Sequence, residues 1–117
     1  MSVLATVISH NRSTGKIIID AGALALSKDL GFTERSSAHY GELVDSGTGE
    51  FLGLVVNAMS QEHGVIDARE SDFERLPIGS LVRILPNHAC ITGAGFDHYS
   101  VVDSGEVIAA WDRCTGW

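Results

Sequence analysis

Hydrophobic residues along the chain fall into short runs, and glycine-, serine- and asparagine-rich breaks separate many of them. Runs that predict β-strands occupy residues 6–8, 16–20, 42–45, 51–59, 81–85, 99–102 and 107–111. Such short runs, bounded by turn-forming residues, are typical of strands that bury at least one face. The breaks at residues 10–15 and 103–105 predict that the first two runs and the last two runs each form a hairpin.

Three other stretches are less regular. Residues 21–26 are small and apolar, and their pattern fits a buried strand or a short helical turn equally well. Residues 61–67 are expected to continue the strand at 51–59, with Gly64 marking a bulge or a close backbone approach. Residues 33–39 are polar and predict a loop.

The segment at residues 69–75 is polar and contains a possible helix start. Ser71 and Glu74 have the spacing of a capping box, and Pro77 leaves room for about one helical turn. No long amphipathic helix is evident. The pattern as a whole predicts a mainly β fold, a single β-barrel or sandwich-like domain over residues 1–117 with short helical turns.

Composition narrows the classes of function. A chain of 117 residues with 44 % hydrophobic and 20 % charged residues suits one folded domain. Its net charge of −7 and the lack of any basic run argue against nucleic acid or an anionic membrane as a partner. No secretory signal or membrane-spanning apolar run is visible, so we expect a cytoplasmic protein with both cysteines free.

Two residues with metal-binding chemistry lie close together after the run at 81–85. His88 and Cys90 are two positions apart, and on an extended backbone their side chains would face the same side. An imidazole and a thiolate together suit zinc. Two ligands fall short of the four in a structural zinc site, however, and a loop histidine beside a small buried cysteine fits the same spacing.

Several motifs extend this observation along the chain. Residues 86–90 read Pro-Asn-His-Ala-Cys, 96–99 read Phe-Asp-His-Tyr, and 111–117 carry Trp-x-Arg-x-x-Gly-Trp. Upstream lie Ile-Asp-Ala-Gly at 19–22, Leu-Ser-Lys-Asp at 26–29 and Gln-Glu-His-Gly at 61–64. In order and spacing the chain from Ala5 to Trp117 resembles the C-terminal β-domain of the D-serine dehydratase and D-threonine aldolase family. These are pyridoxal-phosphate enzymes with an alanine-racemase-like fold.

The resemblance implies a catalytic metal held by His88 and Cys90. Dehydratase-like members of the family have cysteine at the second position and aldolase-like members tend to have aspartate, so Cys90 favours a zinc-dependent dehydratase. Such an enzyme removes the β-hydroxyl of a D-amino acid, and zinc can bind that hydroxyl as it leaves. Two protein ligands leave coordination positions open, as a catalytic site requires.

The resemblance also implies a missing half. Family members carry the pyridoxal lysine on a separate N-terminal (β/α) barrel, and neither Lys16 nor Lys28 lies in a comparable segment. We therefore expect pyridoxal phosphate and the D-amino-acid substrate to bind only together with a barrel domain or subunit. The alternative is a non-catalytic β-module, for which loss of the barrel leaves a face free for oligomerisation or small-molecule binding.

His63 is a further candidate for chemistry. In the sequence Glu-His-Gly it can act as a third metal ligand, as a group that orients a ligand, or as a proton carrier in catalysis. An exposed histidine at a strand end explains the same residue equally well. Asp20 is expected to accept a backbone hydrogen bond, and Trp111 and Trp117 are expected to pack.

Overall fold

The computed structural model of the chain describes residues 1–30 and 38–114. Six antiparallel strands close into a barrel in the order β1-β2-β5-β4-β3-β6, with β6 hydrogen-bonded back to β1. The strands are β1 (Val3–Asn11), β2 (Lys16–Ile19), β3 (Gly41–Asp45), β4 (Phe51–Met59), β5 (Gly64–Asp67) and β6 (Leu81–Pro86). The mainly β expectation is confirmed, and the architecture is a barrel.

Two long strands allow the barrel to close. In β1, residues 3–6 pair with β6 and residues 7–11 pair with β2, with an irregularity between Val7 and Ser9. In β4, residues 51–55 pair with β3 and residues 56–59 with β5, again with a shift, between Val56 and Ala58. Such irregularities bend a strand, so β1 and β4 each turn from one part of the sheet into the other.

Alternate positions of the strands fill the barrel. Inward-facing residues are fully or almost fully buried, while many of the residues between them remain partly exposed. The buried strand residues include Val3, Ala5, Val7, Ile17, Ile19, Leu43, Leu54, Val56, Ile66, Val82 and Ile84. Each fully buried valine or isoleucine contributes about 1.5–3 kcal/mol relative to an exposed one, so this interior is the main source of stability.

Helix α1 (Ala23–Leu26) settles the ambiguous stretch after β2 in favour of a helical turn. Helix α2 (Glu70–Arg75) has six residues, more than the single turn expected, and it begins before Ser71. The expected Ser71–Glu74 capping box is therefore wrong. The Arg69 N–H instead donates to Asp72 Oδ2 at 2.9 Å, because Asp72 is buried at the third position of the helix.

Strand β4 does not continue through residues 61–67, which corrects the expectation of one long strand. The Ser60 N–H donates to the His63 carbonyl at 2.9 Å, and the chain turns back so that β5 pairs antiparallel with β4. The close approach expected at Gly64 is confirmed. A Cβ atom there would lie 2.6 Å from the Ala21 carbonyl oxygen, so only glycine fits.

A second hairpin lies outside the barrel. Strands β7 (His98–Asp103) and β8 (Glu106–Asp112) pair only with each other, and Ser104 and Gly105 form a turn with positive φ at both positions. The hairpin was expected, but the packing of Trp111 was not correctly predicted, since its side chain is 63 % exposed. Trp117 and most of the loop expected at 33–39 lie outside the described residues.

Helix α3 (Ala89–Ala94) connects the barrel to this hairpin. Within residues 1–30 and 38–114, no helix has the length and apolar character needed to cross a membrane.

Candidate metal centre

His88 and Cys90 lie where β6 gives way to α3. His88 is the N-cap residue, with extended backbone at φ −133° and ψ 93°, and the helix starts at Ala89. The backbone is therefore not extended through Cys90, which was the condition for the two side chains to face the same side. The small residues of the segment let a helix pack closely instead: a Cβ on Gly95 would lie 3.2 Å from the Leu24 carbonyl oxygen of α1. His88 and Cys90 are both exposed, in contrast to the buried cysteine of the alternative reading.

Asp29 is the partner of His88. Its Oδ2 lies 2.5 Å from His88 Nδ1, across 59 residues of sequence. A carboxylate only accepts hydrogen bonds, so in the neutral ring the proton sits on Nδ1 and Nε2 keeps its lone pair. Nε2 is then the atom available to a metal. Asp29 belongs to the Leu-Ser-Lys-Asp motif, but nothing in the sequence pointed to this contact.

The donor set fits a zinc ion. An imidazole with a free Nε2 and an exposed free thiol are nitrogen and sulfur ligands of the kind that zinc prefers. Among the residues that the structure describes, no group of three or more His, Cys, Asp or Glu side chains is arranged to hold a metal.

Three contacts join residues 26–29 to the segment that carries the two ligands. Thr92 Oγ1 donates to the buried Leu26 carbonyl at 2.8 Å. The Asn87 side-chain amide donates to the carbonyls of His39 and Asp29, the latter at 3.4 Å. The Asp29–His88 pair is the third contact. The candidate centre is therefore built from two chain segments.

His63 lies in the turn between β4 and β5. It is exposed and lines a shallow concavity together with Asp20, Gly22, Leu24, Ala25, Gln61 and Glu62. The Gly22 backbone packs tightly here, since a Cβ atom on residue 22 would lie 2.4 Å from the backbone nitrogen of His63. Helix α1 contacts this turn through the N–H groups of Ala23 and Leu24, and it contacts α3 as well. No contact joins His63 to the candidate ligands in the described residues, and its catalytic role stays a prediction.

The other three histidines have structural or exposed positions. His10 Nε2 lies 2.8 Å from the Leu76 carbonyl oxygen, and its ring meets Phe73 edge to face. His39 is buried and accepts the Gly41 N–H at 3.2 Å. His98 is exposed, with its Nδ1 2.7 Å from Asp97 Oδ1. Asp20 behaves as expected: its Oδ1 accepts the Thr6 N–H at 2.6 Å.

The described residues do not fit a pyridoxal-phosphate site. Every strand pair among them is antiparallel, so they do not form the (β/α) barrel to which the family resemblance assigns this cofactor. Lys16 is half-buried and forms an ion pair with Asp67. A chemical role for pyridoxal phosphate would therefore need groups that these residues do not supply.

Two relatives of this chain are dehydratases. The chain is 40 % identical to the D-threo-3-hydroxyaspartate dehydratase of Delftia sp. (strain HT23), over 100 % of this chain and 32 % of that enzyme. It is 36 % identical to the D-serine dehydratase of Dictyostelium discoideum, over 91 % of this chain and 27 % of that enzyme. The chain thus spans about a third or less of the length of these relatives.

Solved structures of D-threo-3-hydroxyaspartate dehydratase contain the same fold as this chain. A metal-free cysteine-to-alanine mutant of D-threo-3-hydroxyaspartate dehydratase superposes with a TM-score of 0.86 at 40 % identity, over 99 % of this chain and 32 % of that one. A histidine-to-alanine mutant of the dehydratase has also been solved, and its histidine precedes the mutated cysteine by two positions. That order and spacing are those of His88 and Cys90.

A shorter relative also exists. An uncharacterised protein of Mycobacterium tuberculosis is 26 % identical over 95 % of this chain, and the match covers 79 % of that protein. The family model described as "Putative serine dehydratase domain" matches residues 1–102. Because this family model covers most of the chain, the chain belongs to the family of D-serine dehydratase-like domains.

Proposed function

We propose that this chain is the metal-bearing domain of a dehydratase that acts on β-hydroxy D-amino acids. The observation that carries the proposal is the pair His88 and Cys90 at the start of α3, with Asp29 on the far nitrogen of the imidazole. The two dehydratases among the relatives act, by name, on D-serine and D-threo-3-hydroxyaspartate, and both substrates carry a β-hydroxyl. D-Threonine aldolase chemistry is the less favoured reaction because Cys90 stands where aldolase-like members tend to have aspartate.

The chain's own residues would supply the metal side of the reaction. His88 Nε2 and Cys90 Sγ would hold the ion, and both are open to a partner or substrate because they are exposed. A bound zinc ion would supply a Lewis acid for the leaving hydroxyl. Asp29 would hold the neutral imidazole in the Nδ1–H tautomer, which leaves Nε2 free to bind the ion. His63 lies in a separate concavity and is proposed as a proton carrier.

Activity requires a second component in this proposal. The pyridoxal-binding barrel would come from another part of the polypeptide or from a partner subunit, with the D-amino acid bound where the two meet. The proposal therefore predicts that the 117 residues by themselves do not catalyse elimination.

The test is a chimera in which this chain replaces the matching third of the Delftia dehydratase. We expect zinc-dependent dehydration of D-threo-3-hydroxyaspartate, and we expect His88→Ala and Cys90→Ala each to abolish it. Matched controls are His98→Ala and Cys114→Ala, which remove another exposed imidazole and the other free thiol. Both controls should retain activity. A chimera that stays active after either ligand substitution would contradict the proposal.

One observation favours a second function. The mycobacterial relative is not much longer than the matched region, so this type of domain also occurs with little other sequence. The exposed apolar side chains of β8, including Val107, Ile108 and Trp111, offer a surface for self-association. We therefore keep a homo-oligomeric, non-catalytic module as the alternative. Light scattering on the purified chain tests it, since a strictly monomeric protein removes its support.

A further inference from the structure

Residues 26–29 form an arm that lies against the start of α3. Its first carbonyl, on Leu26, accepts the buried hydroxyl of Thr92, and its last residue, Asp29, meets both Asn87 and His88. Asn87 directly precedes His88, and Thr92 lies one turn beyond it. The arm is thus anchored on both sides of the His88 ring, which fixes where the Asp29 carboxylate stands.

The backbone of this arm is strained at Ser27. Its φ of 74° and ψ of 166° fall in a region that is essentially restricted to glycine. Ser27 is almost fully buried, and its Oγ accepts the Asp29 N–H at 3.3 Å. A non-glycine residue keeps such a conformation only where the surrounding contacts hold it. Here the contacts of Leu26 with Thr92 and of Ser27 with the Asp29 N–H hold the chain after α1 in a path that brings Asp29 to His88.

We propose that Asp29 is a positioning residue for the metal ligand His88. It fixes the ring in the orientation and tautomer in which Nε2 has its lone pair, and so it raises the affinity of the centre for a divalent metal. Carboxylates that hold the far nitrogen of a ligating histidine have this effect in many metal sites. The inference rests on the proposed function, because it concerns the same two ligands, but the tautomer of His88 can be measured without any metal.

The chain contains a matched control for this pair. Asp97 Oδ1 lies 2.7 Å from His98 Nδ1, so the same two groups meet through the same ring nitrogen. That pair joins neighbours in sequence, and His98 has no cysteine two positions later. Removal of the Asp97 carboxylate therefore reproduces the chemical change while leaving the candidate centre untouched.

The experiment uses the full chain and four proteins: wild type, Asp29→Ala, Asp29→Asn and Asp97→Ala. Long-range ¹⁵N–¹H correlation spectra of the metal-free proteins report the tautomer of each histidine, with the His88 signals identified by their loss in His88→Gln. Titration with Co²⁺ reports affinity through the thiolate-to-cobalt charge-transfer band of Cys90. Circular dichroism confirms that each variant is folded.

We expect wild-type His88 to carry its proton on Nδ1. Asp29→Ala should move the proton toward Nε2 and weaken cobalt binding by about 10–100-fold. Asp29→Asn should lose less affinity, because its amide oxygen still accepts the Nδ1 proton. Asp97→Ala should change the His98 signals alone and leave the cobalt affinity at the wild-type value.

Two results separate the possible failures. If wild type binds cobalt and Asp29→Ala binds it equally well, the role of Asp29 is overturned while the metal centre stands. If folded wild type gives no thiolate band, the metal centre itself is overturned. In that case an unchanged His88 tautomer in Asp29→Ala would also exclude the positioning role. A changed tautomer would mean that Asp29 orients the His88 ring without serving a metal.

Discussion

The barrel and the β7–β8 hairpin are built from similar sequences but differ in what covers them. Both contain short strands rich in valine, isoleucine and alanine. In β2 both Ile17 and Ile19 are fully buried, whereas every residue of β8 is exposed. The difference lies in closure: six strands enclose a common interior, while a two-stranded ribbon has two open faces. Strand-forming sequence therefore does not determine burial; the number of strands that close together does.

The sharpest test of this contrast replaces an isoleucine inside the barrel. Ile66 of β5 is completely buried. Ile66→Ala should lower the free energy of unfolding by about 2–5 kcal/mol, because it removes buried methyl groups and leaves a cavity. Urea unfolding followed by circular dichroism measures the change. A cost below about 1 kcal/mol would mean that the barrel interior is not the main source of stability.

A smaller loss of folding stability is expected when the buried carboxylate of helix α2 is replaced. Asp72 of α2 is buried and accepts hydrogen bonds from the Arg69 backbone and side chain, with Arg75 also close. Burial raises the pKa of Asp72, but these hydrogen bonds and the charges of Arg69 and Arg75 outweigh it, so its pKa lies below the ordinary value of 3.8. Asp72→Asn should cost about 1–3 kcal/mol at neutral pH.

This cost should depend on pH in one direction. A lowered carboxyl pKa stabilises the fold fully above pH 3.8, and that contribution disappears as the pH falls through the folded-state pKa. The difference between wild type and Asp72→Asn should therefore shrink below pH 3.8. Asp45 and Asp97 also have lowered pKa values, but both proteins contain them, so their effects cancel. A difference that is constant down to low pH would contradict this account.

The smallest change in the free energy of unfolding is expected for a substitution in the β7–β8 hairpin. Ile108 of β8 is 62 % exposed, so Ile108→Ala makes the same chemical change as the barrel substitution without opening a cavity. We expect a change within about 0.5 kcal/mol in the same urea experiment. A loss above about 1 kcal/mol that grows with protein concentration would show that β8 is covered by another molecule, and it would favour the oligomeric alternative.

The strands were predictable from sequence because each one is a local pattern. Residues 51–59 form β4 as expected, and the turn at Ser104 and Gly105 follows from their positions between two apolar runs. The reversal at Ser60 to His63 was missed although its polar residues, Ser-Gln-Glu-His, separate two apolar runs. Helix α3 was missed because its sequence, Ala-Cys-Ile-Thr-Gly-Ala, lacks a helical spacing of apolar residues.

Only the two ligands of the candidate centre could be predicted from the sequence. His88 and Cys90 are recognisable because their spacing is short and their side chains share a chemistry. Asp29 could not be assigned from sequence alone, since its contact with His88 spans 59 residues and depends on the path of the chain after α1. The strained backbone of Ser27 has no sequence signal either, because the region that it occupies normally calls for glycine.

Closure of the barrel also limits how the chain can associate through its backbone. Each of the six barrel strands already has a hydrogen-bonded neighbour on both sides, so none presents an edge that another chain can extend. In residues 1–30 and 38–114, the outer edges of β7 and β8 are the strand edges left unpaired by the sheet order. Among the described residues, growth of the sheet by an added strand must therefore start at the hairpin, where we expect substitutions to cost the least stability.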